Sequence, residues 1–394
     1  MTQITLPSLI DCHVHFREPG LTHKADMASE SVAAVAGGVV TVCEMPNTIP
    51  PVVTVEALAD KVRRADRIQT CDIRFFMGAT EKKHLLALRD VWRGASPTLK
   101  DIKRRCCGLK VFFDHSTGNQ GADFETIAEA FRMCGELGIP LVAHCEDAEM
   151  NANAQASVLR SGRSRSSATE DIALHSQMRP PESEVAAIKR AIGLAREYST
   201  QFHVAHLSTA GGLQLVREAK KEGLSVTCEV APHHLFLTVD DYQTLGALGK
   251  MNPPLRSKED QAALWEGIAD GTVDCIATDH APHTLEEKQC EDPLRAPSGV
   301  PGVETMLPLL LTVAAGGWPN PRGEKVANCK LQIANIIRLC FENPNRIFGL
   351  GKQKDELQIQ IDVDKEWTIE AENLHSKCKW TPYEGWRVRG SVVD

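Results

Sequence analysis

The sequence predicts a (β/α)8 barrel carrying a small β appendage, and three observations lead there. Eight apolar, strand-like runs recur over residues 9–277, each followed by a helical pattern. Strands apolar on both faces belong to a parallel sheet covered by helices. Histidines, acids and one lysine stand at the ends of these runs. No glycine-rich fingerprint follows any run, which ranks an open doubly wound sheet well below the barrel.

The elements follow in chain order. Leu9-Ile10 opens the first strand and runs into Asp11-Cys12-His13-Val14-His15-Phe16-Arg17-Glu18-Pro19-Gly20. Residues 25–36 have helical spacing and stop at Gly37-Gly38, a C-cap. Strands are expected at 39–43, 73–77, 108–113, 140–143, 201–205, 224–228 and 273–277. Asp123 caps a helix with an Ile127, Phe131, Cys134 stripe that ends at Gly138. Helices are also expected at 184–198, 213–221 and 257–268. Residues 151–181 are polar and read as an excursion. From Leu357 the pattern becomes alternating, at 358–363 and again at 387–392. The barrel is therefore assigned to residues 9–350, and the β appendage to 1–8 and 351–394.

Composition narrows the function. At 394 residues, 42% hydrophobic and 24% charged, the chain has the makeup of an ordinary enzyme with a sizeable core. A net charge of -8 without a Lys/Arg stripe argues against nucleic acid. No stretch reaches transmembrane length, and no signal-like run is visible near the start. The thirteen cysteines are scattered with no C-x-x-C, so a cysteine-zinc module is not expected and a cytoplasmic setting is.

The chemistry lies at the strand ends, where barrels of this kind keep it. Residues two apart on a strand share a side, so His13 and His15 present their imidazoles together. Arg17 follows, suited to a carboxylate. Later ends carry Glu44-Met45-Pro46-Asn47-Thr48, Lys110, His144, His206, Glu229 and Asp279. Four imidazoles plus Asp279 exceed the three protein ligands of one catalytic zinc, which implies two metals able to share a hydroxide. Lys110 has two readings. It is a surface or acid-paired lysine, or it is a neutral amine that has taken up CO2 as a carbamate, because burial near positive charge lowers a lysine pKa.

These motifs, with Gly108-Leu109-Lys110, Val142-Ala143-His144, Cys228-Glu229-Val230-Ala231-Pro232-His233-His234, Thr278-Asp279-His280-Ala281-Pro282-His283-Thr284 and the tail Trp380-Thr381-Pro382-Tyr383-Glu384-Gly385, resemble the dihydroorotases, of the cyclic amidohydrolase branch of the amidohydrolase superfamily. The resemblance implies one zinc on His13, His15, carboxylated Lys110 and Asp279, and a second on Lys110, His144 and His206. The two Zn2+ would be bridged by the N6-carboxylated Lys110 and a hydroxide or water. Asp279 would be general base and acid. Arg17, Asn47 and His283 would hold the substrate carboxylate, helped by Asn252 and the Pro301-Gly302 backbone. Residues 115–121 would form a mobile loop over the site.

The implied reaction is the reversible closure of N-carbamoyl-L-aspartate to L-dihydroorotate in de novo pyrimidine biosynthesis. A homodimer, and association with other enzymes of that pathway, are implied in the same way. Two positions depart from some relatives. Ala205 stands where those relatives have a cysteine on a third zinc, leaving Glu229 as an acceptor behind the ligands. Asn252 stands where some have arginine. The competing readings are a hydantoinase, dihydropyrimidinase or allantoinase, and a catalytically silent assembly partner. His233 and His234 are assigned to the core below Glu229, and Trp380 to packing. His175 and His203 have no partner visible in the sequence.

Overall fold

A barrel of eight parallel strands forms because each strand is buried on both faces and each is followed by helix. A computed structural model describes residues 2–94, 96–114, 120–160, 168–323, 325–326 and 329–393. In chain order its strands are β1 (Gln3–Pro7), β2 (Leu9–Val14), β3 (Val39–Glu44), β4 (Asp72–Gly78), β5 (Cys106–Phe112), β6 (Leu141–His144), β7 (Phe202–Val204), β8 (Val226–Val230), β9 (Cys275–Ile276), β10 (Gln358–Thr368) and β11 (Arg387–Val392). β2 to β9 pair in sequence order as one parallel sheet. A parallel bridge between Val14 and His280 brings the first strand back to the last, with His15 N–H donating to His280 O at 2.7 Å. The eight strands lie where the apolar runs place them.

Alternation sorts the side chains into two cores. Ile10, Cys43, Phe76, Val142 and Ala277 pack inside the barrel, where Phe341, Phe348 and Leu350 join them. Leu9, Val42, Phe75, Leu109, Ala143 and Ile276 face outward into the larger core. The surrounding helices are built as their sequences suggest. Asp123 accepts from Thr126 N–H, Ile127, Phe131 and Cys134 are buried, and Gly138 takes a left-handed conformation to stop the Phe124–Leu137 helix.

Two strands break the alternation. On β2, Cys12 and His13 both face inward, and the pairing with β3 shifts register between Asp11 and Val14. On β5, Cys107 faces inward as the extra residue between the Phe75–Cys106 and Phe76–Gly108 pairs, where the register with β4 shifts, and Gly108 sits at φ 150°. A side chain at Gly108 would stand 2.2 Å from Pro140 O. Both are bulges, which re-aim the residues that follow.

The 151–181 stretch is more regular than expected. It holds helices Ala148–Arg160 and Ala168–Met178, while 161–167 lie outside the described residues. The first buries only Asn151, so alanine-rich propensity rather than an apolar stripe makes it helical. β1, β10 and β11 form a separate antiparallel sheet, with Gln3 opposite Asp362. The segment between β10 and β11 returns to the barrel mouth. Ser376 Oγ and Lys377 N–H donate to buried Glu30, and Trp380 Nε1 donates to His283 O at 2.7 Å.

Candidate metal centre and substrate cavity

The C-terminal ends of the barrel strands surround a cavity of about 230 Å3 lined by His13, His15, Arg17, Asn47, His144, His206, Asn252, Asp279 and His283, with Phe112, Ala281 and residues 297–299. Hydrogen bonds behind the imidazoles decide which ring nitrogen each one presents. His13 Nδ1–H donates to Glu229, leaving Nε2 facing Asp279 Oδ1 at 3.3 Å. His15 Nδ1–H donates to Asn47 Oδ1 at 2.7 Å, leaving Nε2 at 3.0 Å from the same carboxylate oxygen. Two ring lone pairs and a carboxylate oxygen therefore converge, an arrangement that a cation holds together.

A second convergence adjoins the first, the His13 and His206 ring centroids being 5.3 Å apart. His144 Nε2–H donates to Glu146 Oε2 at 2.9 Å, which turns Nδ1 toward His206 Nε2 at 3.0 Å. Lys110, on the strand beside that of His144, is buried, and its Nζ has no hydrogen-bond partner. Burial pushes its pKa down to about 8, within reach of the neutral amine. Burial likewise drops His15 to about 4 and His206 well below the ordinary histidine value, so both rings are neutral, the form that ligates. Burial alone would raise Asp279, but His13 and His15 hold it below the usual carboxylate range. An orphaned buried amine beside paired imidazole lone pairs fits a metal pair on His13, His15, Asp279, His144, His206 and Lys110.

Glu229 sits behind these groups. It accepts from His13, from His203 Nε2 at 3.2 Å and from Cys12 Sγ at 3.3 Å. This is an orienting role of the kind second-layer carboxylates serve, and it gives His203 its partner. Behind His144 stand residues the sequence reading missed. Arg179 Nη2 lies 2.5 Å from both Asp114 Oδ2 and Glu146 Oε2, and Asn151 Nδ2 donates to Asp114 at 2.9 Å. Glu146 follows His144 by two positions, and that spacing is the signal that could have found it.

On the cavity lining itself, Arg17 Nε donates to Pro282 O at 2.9 Å and one of its terminal nitrogens lies 3.0 Å from His283 Nε2. Burial lowers Arg17 to about 10, which leaves the guanidinium charged. His175 Nε2 bonds to Asn252 Oδ1 and Met251 O, both at 2.9 Å. Arg17, His206 and Asp279 all have positive φ, at 68°, 33° and 47°, strain of the kind that concentrates at functional sites. Gly302 N–H, of the expected Pro301-Gly302 backbone pair, is given to His280 Nδ1 at 3.0 Å, and residues 297–299 line the cavity. Most of the expected mobile loop, 115–119, lies outside the described residues.

An amidohydrolase family model matches residues 4–364. The dihydroorotase of Halobacterium salinarum is 40% identical over 386 residues, covering 96% of this chain and 82% of that one. The chain belongs to the amidohydrolase family, on its dihydroorotase branch. The dihydroorotase of Thermus aquaticus is 36% identical, over 98% of this chain and 85% of that one. The multifunctional protein CAD of Squalus acanthias is 35% identical over 99% of this chain, which spans 14% of that protein. Among solved structures, the L-hydantoinase of Arthrobacter aurescens superposes with a TM-score of 0.88 at 27% identity, over 99% of this chain and 83% of that one. The barrel is thus shared with a hydantoinase. Among the described residues, no helix is long and apolar enough to cross a membrane.

Proposed function

We propose that this chain catalyses the reversible cyclisation of N-carbamoyl-L-aspartate to L-dihydroorotate. The observation that carries the reading is the presence of convergent ligand atoms and a charged, buried Arg17 on the lining of one cavity. An anionic cyclic amide offers a carbonyl to the first and a carboxylate to the second. The identity to named dihydroorotases exceeds that to the hydantoinase. By the same likeness the work belongs to pyrimidine biosynthesis, and the match to CAD supports contact with other enzymes of that route.

His13, His15 and Asp279 would hold one zinc and His144 and His206 a second, and Lys110, carboxylated on Nζ, would supply further ligand oxygens. Bound there, the ions supply Lewis acidity and a lowered pKa for water. The chain's own groups do the rest. In ring opening, water adds to the ring amide carbonyl carbon, the C–N bond breaks and the nitrogen departs with a proton. Asp279, ionised, takes the proton from the attacking water and delivers it to that nitrogen. Arg17 pairs with the substrate carboxylate, fixing the ring so that its carbonyl meets the nucleophile. Asn47 locks the His15 tautomer and presents its amide to the cavity.

Metal analysis together with turnover of L-dihydroorotate, dihydrouracil and hydantoin tests the proposal. Turnover restricted to dihydroorotate is expected. Preference for an uncharged ring would make the chain a hydantoinase-type enzyme, and a metal-free inert protein would make it an assembly partner. Asp279→Ala is expected to leave a folded protein without turnover; retained activity would remove Asp279 from its role.

A further inference from the structure

Lys288 has no accessible surface, yet it lies outside the set of groups that the reaction uses. Its Nζ donates to three carbonyl oxygens, Lys250 O at 2.9 Å, Pro297 O at 3.0 Å and Gly299 O at 3.1 Å. Three acceptors meet the full donor set of one ammonium. A second lysine completes the arrangement. Lys250, itself 8% exposed, donates from Nζ to Leu294 O and to Ala296 O at 2.7 Å. Ser298 O meets His283 Nε2 at 3.0 Å. Each of the carbonyls of 294, 296, 297, 298 and 299 is thereby tied to a basic side chain.

This segment is a cavity wall, since 297–299 line the cavity beside Arg17 and His283. A backbone carbonyl turned toward that cavity would repel an anionic substrate; one held by a lysine does not. Gly299 adds a constraint: it sits at φ 135°, and a side chain there would stand 2.8 Å from Ala281 and 3.1 Å from His283 Nε2. The wall lies against the carboxylate grip with no room for adjustment. The Lys250 backbone also accepts from Gly299 N–H at 3.0 Å, which joins the wall to the strand of chain leading to Asn252.

We infer that Lys288 and Lys250 are positioning residues for the substrate carboxylate: together they turn the carbonyls of 294, 296, 297 and 299 away from the bound anion and hold His283 and Asn252 in register with Arg17. The inference rests on the proposed dihydroorotase reading. It separates binding from chemistry, because neither lysine touches Asp279 or the imidazole ligands.

The test is steady-state kinetics on Lys288→Met and Lys250→Met holoenzymes, with zinc content measured alongside. Lys288→Met is expected to raise KM for L-dihydroorotate about tenfold while kcat stays within about threefold and zinc is unchanged. A purely structural lysine would instead reduce the active fraction, lowering kcat at constant KM, and that result overturns the inference. Should Lys288→Met fail to fold, Lys250→Met, at the less enclosed of the two positions, decides on the same KM criterion. Absence of dihydroorotate turnover in the unsubstituted enzyme would strike the proposed function instead.

Discussion

At the scale of single residues, the site depends on which nitrogen each histidine offers. Glu229, Asn47 and Glu146 make that choice for His13, His15 and His144 by taking the opposite N–H. Lys110 differs, because its amine is buried with no hydrogen-bond partner and lies over the ring of Phe112, 5.1 Å from its centroid. Isolated burial of an ammonium is costly, so the position demands either neutrality or a modification that brings ligands with it. Lys110→Ala is therefore expected to lose most bound zinc without rescue by bicarbonate; unchanged metal content would return Lys110 to an ordinary core lysine. Arg17→Ala is expected to raise KM by about tenfold or more and to lower kcat as well, since a clamp that orients also contributes to the transition state. An effect on melting temperature alone would make this a structural arginine. The proposed ligands were legible in the sequence because each, Lys110 apart, stands at or just past the end of a strand-like run. Asp114, Arg179 and Lys288 were not: their partners lie 30 to 65 positions away or are backbone carbonyls, and no spacing rule encodes either.

At the scale of elements, strand order and strand position followed from apolar runs, but side-chain direction did not. Simple alternation from Ile10 and Cys12 would turn His13 outward with Leu9, yet His13 reaches Glu229 inside the barrel. The register shift on β2 makes the difference, and nothing in Asp11-Cys12-His13-Val14 announces it. On β5 the corresponding irregularity falls at Gly108, which does leave a trace, because a glycine interrupts an otherwise apolar strand. Gly108→Ala tests whether this bulge aims Lys110. The added carbon would clash with Pro140 O in a backbone conformation unfavourable to alanine. A destabilisation of about 1–3 kcal/mol is expected, with reduced zinc content at a temperature where the protein is still folded. Full metal loading in a merely less stable variant would show that Lys110 finds its place without the bulge. The helices of the 151–181 excursion were not legible for a different reason: the first lacks the apolar stripe by which a sequence declares a helix and is anchored through Asn151 to Asp114, while of the second's described apolar side chains only Ile172 and Met178 are buried.

At the scale of the whole molecule, the proposed ligands come from β2, β5, β6, the turn after β7 and the turn after β9, so ions bound to them would join most of the barrel's circumference. The backbone closure between β2 and the last strand is otherwise short, since β9 is two residues long and the return contacts are the Val14–His280 bridge and the hydrogen bonds from Thr278 to Asp11. His13 and Asp279 lie on either side of that seam, and a cation between them would add a link where the sheet has few hydrogen bonds. A ligand that binds only the native state at about a thousand times its Kd stabilises by about 4 kcal/mol. Spread over a chain of this size, that corresponds to a rise in Tm of about 5 °C. Chelation is therefore expected to lower Tm by about that amount, and added zinc to restore it. Lys110→Ala, already poor in metal, should show little further response to the chelator. If chelation abolishes turnover but leaves Tm unmoved, the seam is held by packing and hydrogen bonds alone and the ions serve chemistry without bracing the barrel.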